Sequence, residues 1–123
     1  MIEYKIYIGE KLIGTTQFEK ADPPMGVVFG EIKPIVKFDY DYIKNLNIDI
    51  AEEIPEDKFI STLSSNLIRV LNDKGIEIKG QVNQISGMDK YEYEISIFGI
   101  PYPFYEDEFP HHVKEYEKMS ENE

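Results

Sequence analysis

The two histidines of the chain, His111 and His112, adjoin carboxylates at a spacing suited to a metal ion. Glu108, His111 and Glu115 form the pattern Glu-x-x-His-x-x-x-Glu, which on a continuous helix places all three side chains on one face. Pro110 interrupts the pattern, because proline suits the first position of a helix and leaves Glu108 outside it. We therefore favour a chain without a metal or other cofactor, and keep Glu108, His111 and Glu115 as the alternative metal site.

Other catalytic arrangements find less support in the sequence. The chain has no cysteine, which excludes disulfides, thiol catalysis and cysteine-ligated zinc. A calcium loop starting at Asp39 fails, since Lys44 stands where the loop needs glycine and Ile50 where it needs glutamate. The serines lie in no nucleophile elbow. The sequence thus favours a non-catalytic protein, and a small metal-dependent hydrolase centred on His111 and His112 is the alternative.

An aromatic and acidic segment, from Tyr102 to Phe109, is the main candidate for binding a partner. Its rings supply contact area at low entropic cost, and Pro103 stiffens their display. Met25 is a further candidate contact residue. The alternative is that these rings close one end of the core beneath a terminal helix. The candidate partner-binding residues are Tyr102, Phe104, Tyr105, Glu106, Asp107, Glu108, Phe109 and Met25.

The net charge of −11 is confined to two segments. Residues 39–57 carry a net charge of −6 and residues 106–123 a net charge of −5, while the acids and bases elsewhere cancel. This sign, and the single arginine, Arg69, argue against binding to a nucleic-acid backbone. A basic protein partner fits the two acidic segments, and a solvated surface that aids solubility is the alternative.

The length of 123 residues indicates one domain. We expect an α+β domain over residues 1–119, with a mostly antiparallel sheet of about five or six strands and one or two helices including a C-terminal helix. Residues 120–123 are expected to fray. No run approaches the roughly 20 apolar residues of a membrane span, and charges interleave from Glu3 onward, so we expect no membrane contact and a cytoplasmic location.

The first 38 residues predict a hairpin and a bent third strand. Alternating apolar residues and the Gly9-Glu10 turn indicate the hairpin. Its expected register pairs Ile6 with Ile13 and Tyr4 with Thr15, with a bulge at Gly14. Pro23 and Pro24 are expected to hold Asp22 and Pro23 extended, ahead of a strand over about residues 27–38 that is interrupted at Pro34. A proline there places that end at a sheet edge.

The middle of the chain carries weaker local patterns. Residues 39–47 predict a short helix, and residues 56–79 fit either one helix or a helical turn to about Leu63 followed by a hairpin, which we favour. Residues 81–90 indicate mostly a connection, with a short strand at 82–85, and residues 91–98 a clear strand.

The terminal helix is predicted to begin at Pro110. On this helix His112 is expected to pack against Tyr116 one turn later, and His111 to cap the helix or face solvent.

Several segments resemble a group of small uncharacterised bacterial proteins. They are Gly14-Thr15-Thr16, Asp22-Pro23-Pro24-Met25-Gly26-Val27 with Phe29-Gly30, Gly99-Ile100-Pro101-Tyr102-Pro103, and Phe109-Pro110-His111-His112-Val113 with Tyr116-Glu117. The resemblance covers both ends of the chain. It implies a bacterial single-domain α+β protein in which the two distinctive segments belong to one design, and it implies no activity and no catalytic residue.

The acidic segments and the Tyr102–Phe109 segment together predict a non-catalytic protein-binding domain. An inhibitor or immunity-type role against a basic partner fits this prediction. A structural subunit that forms a homodimer through an edge near Pro34 or through the apolar hairpin strands is a further alternative.

Overall fold

The computed structural model describes residues 2–38, 40–45, 62–89 and 92–121. The strands are β1 (Tyr4–Ile8), β2 (Lys11–Thr16), β3 (Lys20–Asp22), β4 (Val27–Glu31), β5 (Lys33–Pro34), β6 (Thr62–Ser64), β7 (Ile68–Leu71), β8 (Val82–Asp89) and β9 (Glu92–Phe98). The helices are α1 (Tyr40–Asn45), α2 (Phe104–Glu108) and α3 (Pro110–Glu121), and Pro23–Met25 form a 3-10 turn.

The strands form two antiparallel sheets, of order β5-β2-β1-β7 and β3-β4-β9-β8-β6. The predicted α+β class, the antiparallel pairing and the C-terminal helix are confirmed. The chain passes from the five-stranded sheet to the four-stranded sheet between β4 and β5, which a single residue separates. At this crossing the Ile32 N–H donates to the Tyr93 carbonyl oxygen of the five-stranded sheet.

The opening hairpin is confirmed, but its predicted register is wrong by one residue. Tyr4 pairs with Thr16 and Ile6 with Gly14, rather than with Thr15 and Ile13. The pairing shifts between Ile6 and Tyr7, which faces Leu12, so Ile13 is the inserted residue of a bulge. Gly14 meets a different demand: a Cβ atom there would lie 2.6 Å from the Lys33 carbonyl oxygen, so glycine allows β5 to approach.

The Pro-Pro segment is tighter than predicted. Asp22 is extended at the end of β3, but Pro23 opens the 3-10 turn instead of continuing the extended chain. The reason is that the fixed φ of proline also suits the first residue of such a turn. The predicted strand at Val27-Val28-Phe29 is confirmed as part of β4, and Pro34 lies in the edge strand β5, as expected.

The middle of the chain contains the largest corrections. The favoured hairpin is confirmed after Ile68: Asn72 N–H donates to the Ile76 carbonyl, and Ile78 N–H donates to the Val70 carbonyl. The helical turn predicted to reach Leu63 is wrong at its end, because Leu63 lies in β6 and pairs with Ile85. The short strand predicted at residues 82–85 is confirmed, but the connection predicted for the rest of 81–90 is wrong, since β8 continues to Asp89 and pairs on both sides.

The predicted helix at residues 39–47 is found as α1, and the predicted strand at 91–98 as β9. The start of the terminal helix at Pro110 is confirmed. Most of the acidic segment over residues 39–57, and the start of the ambiguous 56–79 region, lie outside the described residues.

One hydrophobic cluster joins side chains from both sheets and from the helices. Aromatic rings are prominent in it: Tyr4, Phe18 and Phe109 pack with centroids 5.0 to 6.0 Å apart. Phe38 and Tyr93 make a second contact at 5.0 Å. Within the described ranges, no helix has the length and apolarity that crossing a membrane requires.

Candidate functional site

Two distant stretches of the chain, residues 22–30 and 99–113, pack directly on one another. The Ile100 N–H donates to the Gly26 carbonyl oxygen at 2.9 Å. The phenol of Tyr102 donates to the Pro23 carbonyl at 3.0 Å, and that of Tyr105 to the Val27 carbonyl at 2.8 Å. We call this region the 22–30/99–113 junction. It joins the two distinctive segments of the sequence in one structural unit.

Gly26 lies at a point of close approach in the junction. Its φ of +66° lies in the left-handed region, where glycine is favoured, and its N–H donates to the Pro23 carbonyl. A Cβ atom at this position would lie 2.7 Å from the carbonyl oxygen of Ile100. Gly26 therefore meets two requirements at once, the end of the 3-10 turn and the close approach of residue 100.

Two of the four rings of the predicted partner-binding segment lie inside the protein. Tyr105 and Phe109 are 0% exposed and pack together at 5.4 Å between ring centroids, while Phe104 is half-buried against the same core. Tyr105 and Phe109 are therefore not surface contact residues, and the prediction is corrected for them. They follow the alternative reading, because the short helix α2 turns these rings toward Tyr4 and β4.

Glu108 is likewise engaged within the protein. Its carboxylate accepts hydrogen bonds from the Tyr4 phenol at 3.0 Å and from the Asn72 side-chain amide at 2.9 Å. Burial and the Glu108 charge raise the pKa of Tyr4 well above its usual range, so the phenol keeps its proton and donates. Glu108 thus ties α2 to β1 and to the 72–76 turn, and is not a free partner-binding carboxylate.

The fold does not assemble the alternative metal site. Glu108 points at Tyr4 and Asn72, and α3 starts after it at Pro110. Glu108, His111 and Glu115 are not brought together as ligands: among the residues that the structure describes, no group of three histidine, aspartate or glutamate side chains could hold a metal ion.

The two histidines have different environments. His112 is buried, and its Nε2 donates to the Phe18 carbonyl oxygen at 2.6 Å, which fixes α3 to the loop before β3. Its ring lies near Phe109 and His111, the contacts found in place of the predicted packing against Tyr116. His111 is exposed, and partial desolvation together with the adjacent His112 ring lowers the pKa of its imidazole.

The exposed part of the junction forms a small, distinct surface. Tyr102 is 49% exposed, and its ring stacks on the buried Tyr105 with centroids 5.2 Å apart. Met25, in the turn that Tyr102 contacts, is 67% exposed. Acidic side chains are exposed in the same segments. The Met25–Tyr102 surface is defined by Asp22, Met25, Tyr102, Glu106 and Asp107.

A second acidic feature was not predicted. An open cleft of about 330 Å³ lies on the five-stranded sheet, and its lining includes four glutamates and a single cation, Lys20. Glu31 and Glu94 are directly opposed on β4 and β9, and Lys20 Nζ lies 4.0 Å from Glu94. The signal was present in the alternation of Glu92 and Glu94 with buried residues along β9. The four glutamates are Glu19, Glu31, Glu92 and Glu94.

Comparison with protein-family models, with curated proteins and with solved structures finds no match for this chain. The resemblance of the junction segments to small bacterial proteins therefore stays a prediction. Its implication that both segments belong to one design is consistent with the contacts between them.

Proposed function

We propose that this protein is a non-catalytic binding domain that uses the Met25–Tyr102 surface to hold a basic protein partner. The observation that carries the proposal is the state of Tyr102, a half-exposed ring whose hydroxyl is bonded to Pro23 and whose face stacks on Tyr105. Such a side chain has already lost most of its conformational freedom in the unbound protein. Binding through it costs little further entropy, as in the tyrosine anchors of protein interfaces.

The charge around this ring selects the partner. Glu106 and Asp107 lie in the first turn of α2, and burial together with the negative charge of Glu106 raises the pKa of Tyr102. Asp22 is exposed on the other side of the junction. Carboxylates around an aromatic anchor favour lysine and arginine on the partner, and the net charge of −11 speeds the encounter.

The glutamate cleft extends the negative field along the same strand. β4 begins at the junction with Val27 and reaches the cleft at Glu31. Four residues of a strand span about 14 Å, so a partner of ordinary interface size can contact both features. An inhibitor or immunity-type role against a cationic protein is the function that this arrangement suits best. We place it in the cytoplasm, since a chain without cysteine suits a reducing compartment.

The test is a binding measurement against a panel of purified basic bacterial proteins, at ionic strengths of about 20 and about 150 mM. We expect a panel member to bind, and its affinity to fall at the higher salt. Tyr102→Ala should weaken that binding by about thirty-fold, the effect of losing an interface anchor worth about 2 kcal/mol. Met25→Ala should weaken it less.

Matched controls separate the surface from general charge and apolarity. Ile35→Ala removes an exposed apolar side chain near the edge of the other sheet and should leave the affinity unchanged. Glu106→Lys should weaken binding more than Glu10→Lys, which makes the same charge change in the hairpin turn. The proposal fails if no panel member binds in a salt-sensitive way, or if Tyr102→Ala binds as well as the wild type.

A further inference from the structure

A polar groove lies where β6 ends and β8 begins, and its lining shares no residue with the Met25–Tyr102 surface. It consists of two adjoining cavities of about 170 and about 310 Å³. The larger one lies at the lower limit of the size usual for small-ligand sites, about 300 Å³. Both cavities are lined by the same hydroxyl and carboxamide side chains, which are Ser65, Asn66, Gln81 and Asn83.

Asn83 supplies an acceptor that the protein itself does not satisfy. Its Nδ2 donates to the Ile68 carbonyl oxygen at 2.7 Å, and this fixes the amide orientation because a carbonyl can only accept. Its Oδ1 is buried and has no hydrogen-bond partner within the part of the chain that the structure describes. A buried acceptor without a donor is costly, and a small shift of the Asn83 side chain that opens this oxygen to the groove would let an N–H or O–H group from a ligand satisfy it.

The groove coincides with a gap at the edge of the five-stranded sheet. β6 ends at Ser64, which pairs with Gln84. Val82 and Asn83 continue β8 beyond that point and pair with Phe98 and Ile97 of β9 on the other side. An extended backbone can lie along such an edge, and carboxamide side chains can both donate to and accept from its peptide groups.

The charge at one end of the groove differs from that of the chain as a whole. Arg69 Nε lies 2.8 Å from Glu77 Oε1, and Lys79 Nζ lies 3.8 Å from Glu77 Oε2. One glutamate thus serves two cations, and the end of the groove keeps one excess positive charge. The Arg69 side chain is 46% exposed, and its bond to Glu77 uses Nε alone. This end suits a carboxylate.

We propose that the groove binds a short peptide in extended conformation that carries an acidic residue at the Arg69 end. A peptide N–H satisfies Asn83, the carboxamides of Asn66 and Gln81 bond the peptide groups, and the acidic side chain bonds Arg69. This site is separate from the Met25–Tyr102 surface and takes a ligand of the opposite charge.

The test is an NMR titration of the full chain with a capped tetrapeptide. Its first three residues alternate between valine and threonine, and its last residue is aspartate. We expect the side-chain amide resonances of Asn66, Gln81 and Asn83 to shift together. Gln81→Ala should weaken the affinity for the peptide about five-fold, which is the usual effect of one lost hydrogen bond. Gln84→Ala is the matched control, because Gln84 lies on β8 three residues after Gln81 but does not line the groove. It should bind as the wild type does.

Two further probes make the outcome decisive. Replacing the terminal aspartate of the peptide by lysine should weaken binding at least five-fold, through the loss of a charge-assisted contact with Arg69. Maltose, a neutral donor and acceptor without a peptide backbone, should not shift the three amides. The proposal is overturned if the peptide does not shift the three amides, or if maltose shifts them as well. It is also overturned if Gln84→Ala and Gln81→Ala change the affinity for the peptide equally.

Discussion

Tyr102 donates its phenol hydrogen to the carbonyl oxygen of Pro23 across 3.0 Å, and this bond joins residues 79 positions apart. It fastens an exposed ring of the 99–113 segment to the turn that displays Met25. The same contact therefore stabilises the junction and holds the surface that we propose for partner binding.

Removing only this hydroxyl should separate its two effects. Tyr102→Phe keeps the ring stacked on Tyr105 but loses the bond to Pro23, and we expect the free energy of unfolding to fall by about 1 kcal/mol. Urea denaturation gives this value. An unchanged unfolding midpoint would show that water replaces the bond without loss.

Gly26 should tolerate a methyl group much less well than another glycine with a similar backbone. Gly75 has a φ of +80° and no atom within 4 Å of an added Cβ, so Gly75→Ala should cost only about 1 kcal/mol for the left-handed conformation. Gly26→Ala adds the contact with the Ile100 carbonyl and should cost at least about 2 to 3 kcal/mol. Chemical denaturation of both variants checks this difference, and equal costs would contradict it.

Replacing Asn72 by aspartate, which has nearly the same shape, should lower the free energy of unfolding. Its side-chain oxygen accepts from the Lys74 and Ile76 N–H groups, and its Nδ2 donates to Glu108. Asn72→Asp keeps the two acceptor bonds but sets a second carboxylate against Glu108, at a cost of about 2 to 4 kcal/mol.

The double variant Asn72→Asp with Glu108→Gln restores a donor between the two positions. We expect it to recover about half of the lost stability in a double-mutant cycle. If the two substitutions instead add without recovery, the loss does not arise from repulsion at this contact.

Acidification should weaken the fold through His111. Its pKa in the folded protein lies below the value of about 6.5 expected in the unfolded chain. Below that pH the unfolded chain takes up the proton first, so the stabilising contribution is complete above about pH 6.5 and is lost as the pH falls toward the folded pKa.

His111→Gln should therefore flatten the pH dependence of the urea midpoint on the acid side of about pH 6.5. The counter-charge of Glu115 opposes this effect and limits its size. An NMR titration of the His111 ring that places its pKa above that of an unfolded reference peptide would contradict the prediction.

Local patterns predicted those elements whose side chains alternate or whose ends are marked. The Gly9-Glu10 turn, β9 and the start of α3 at Pro110 all carry such marks. β8 carries such a mark only over residues 82–85, because its later Ser and Gly residues indicate a connection when taken alone. It is a strand since β9 and β6 pair with its two edges, which is a tertiary effect.

The candidate site was predictable as a segment but not as a surface. The sequence singled out residues 102–109, yet the same rings suit a core and an interface equally well. Only the packing of Tyr105 and Phe109 against Tyr4 and β4 assigns them to the interior and leaves Tyr102 outside. The glutamate cleft needed the β4–β9 register, which places Glu31 beside Glu94.

The two-residue strand β5 has a consequence for how copies of this protein behave in concentrated solution. Pro34 has no amide hydrogen to offer a neighbouring strand, and Lys33 brings a charge to the same edge. A second molecule that approached this side would find little to pair with and would be repelled by the matching lysine. The β5 edge of the four-stranded sheet therefore disfavours the strand pairing between molecules that builds fibres.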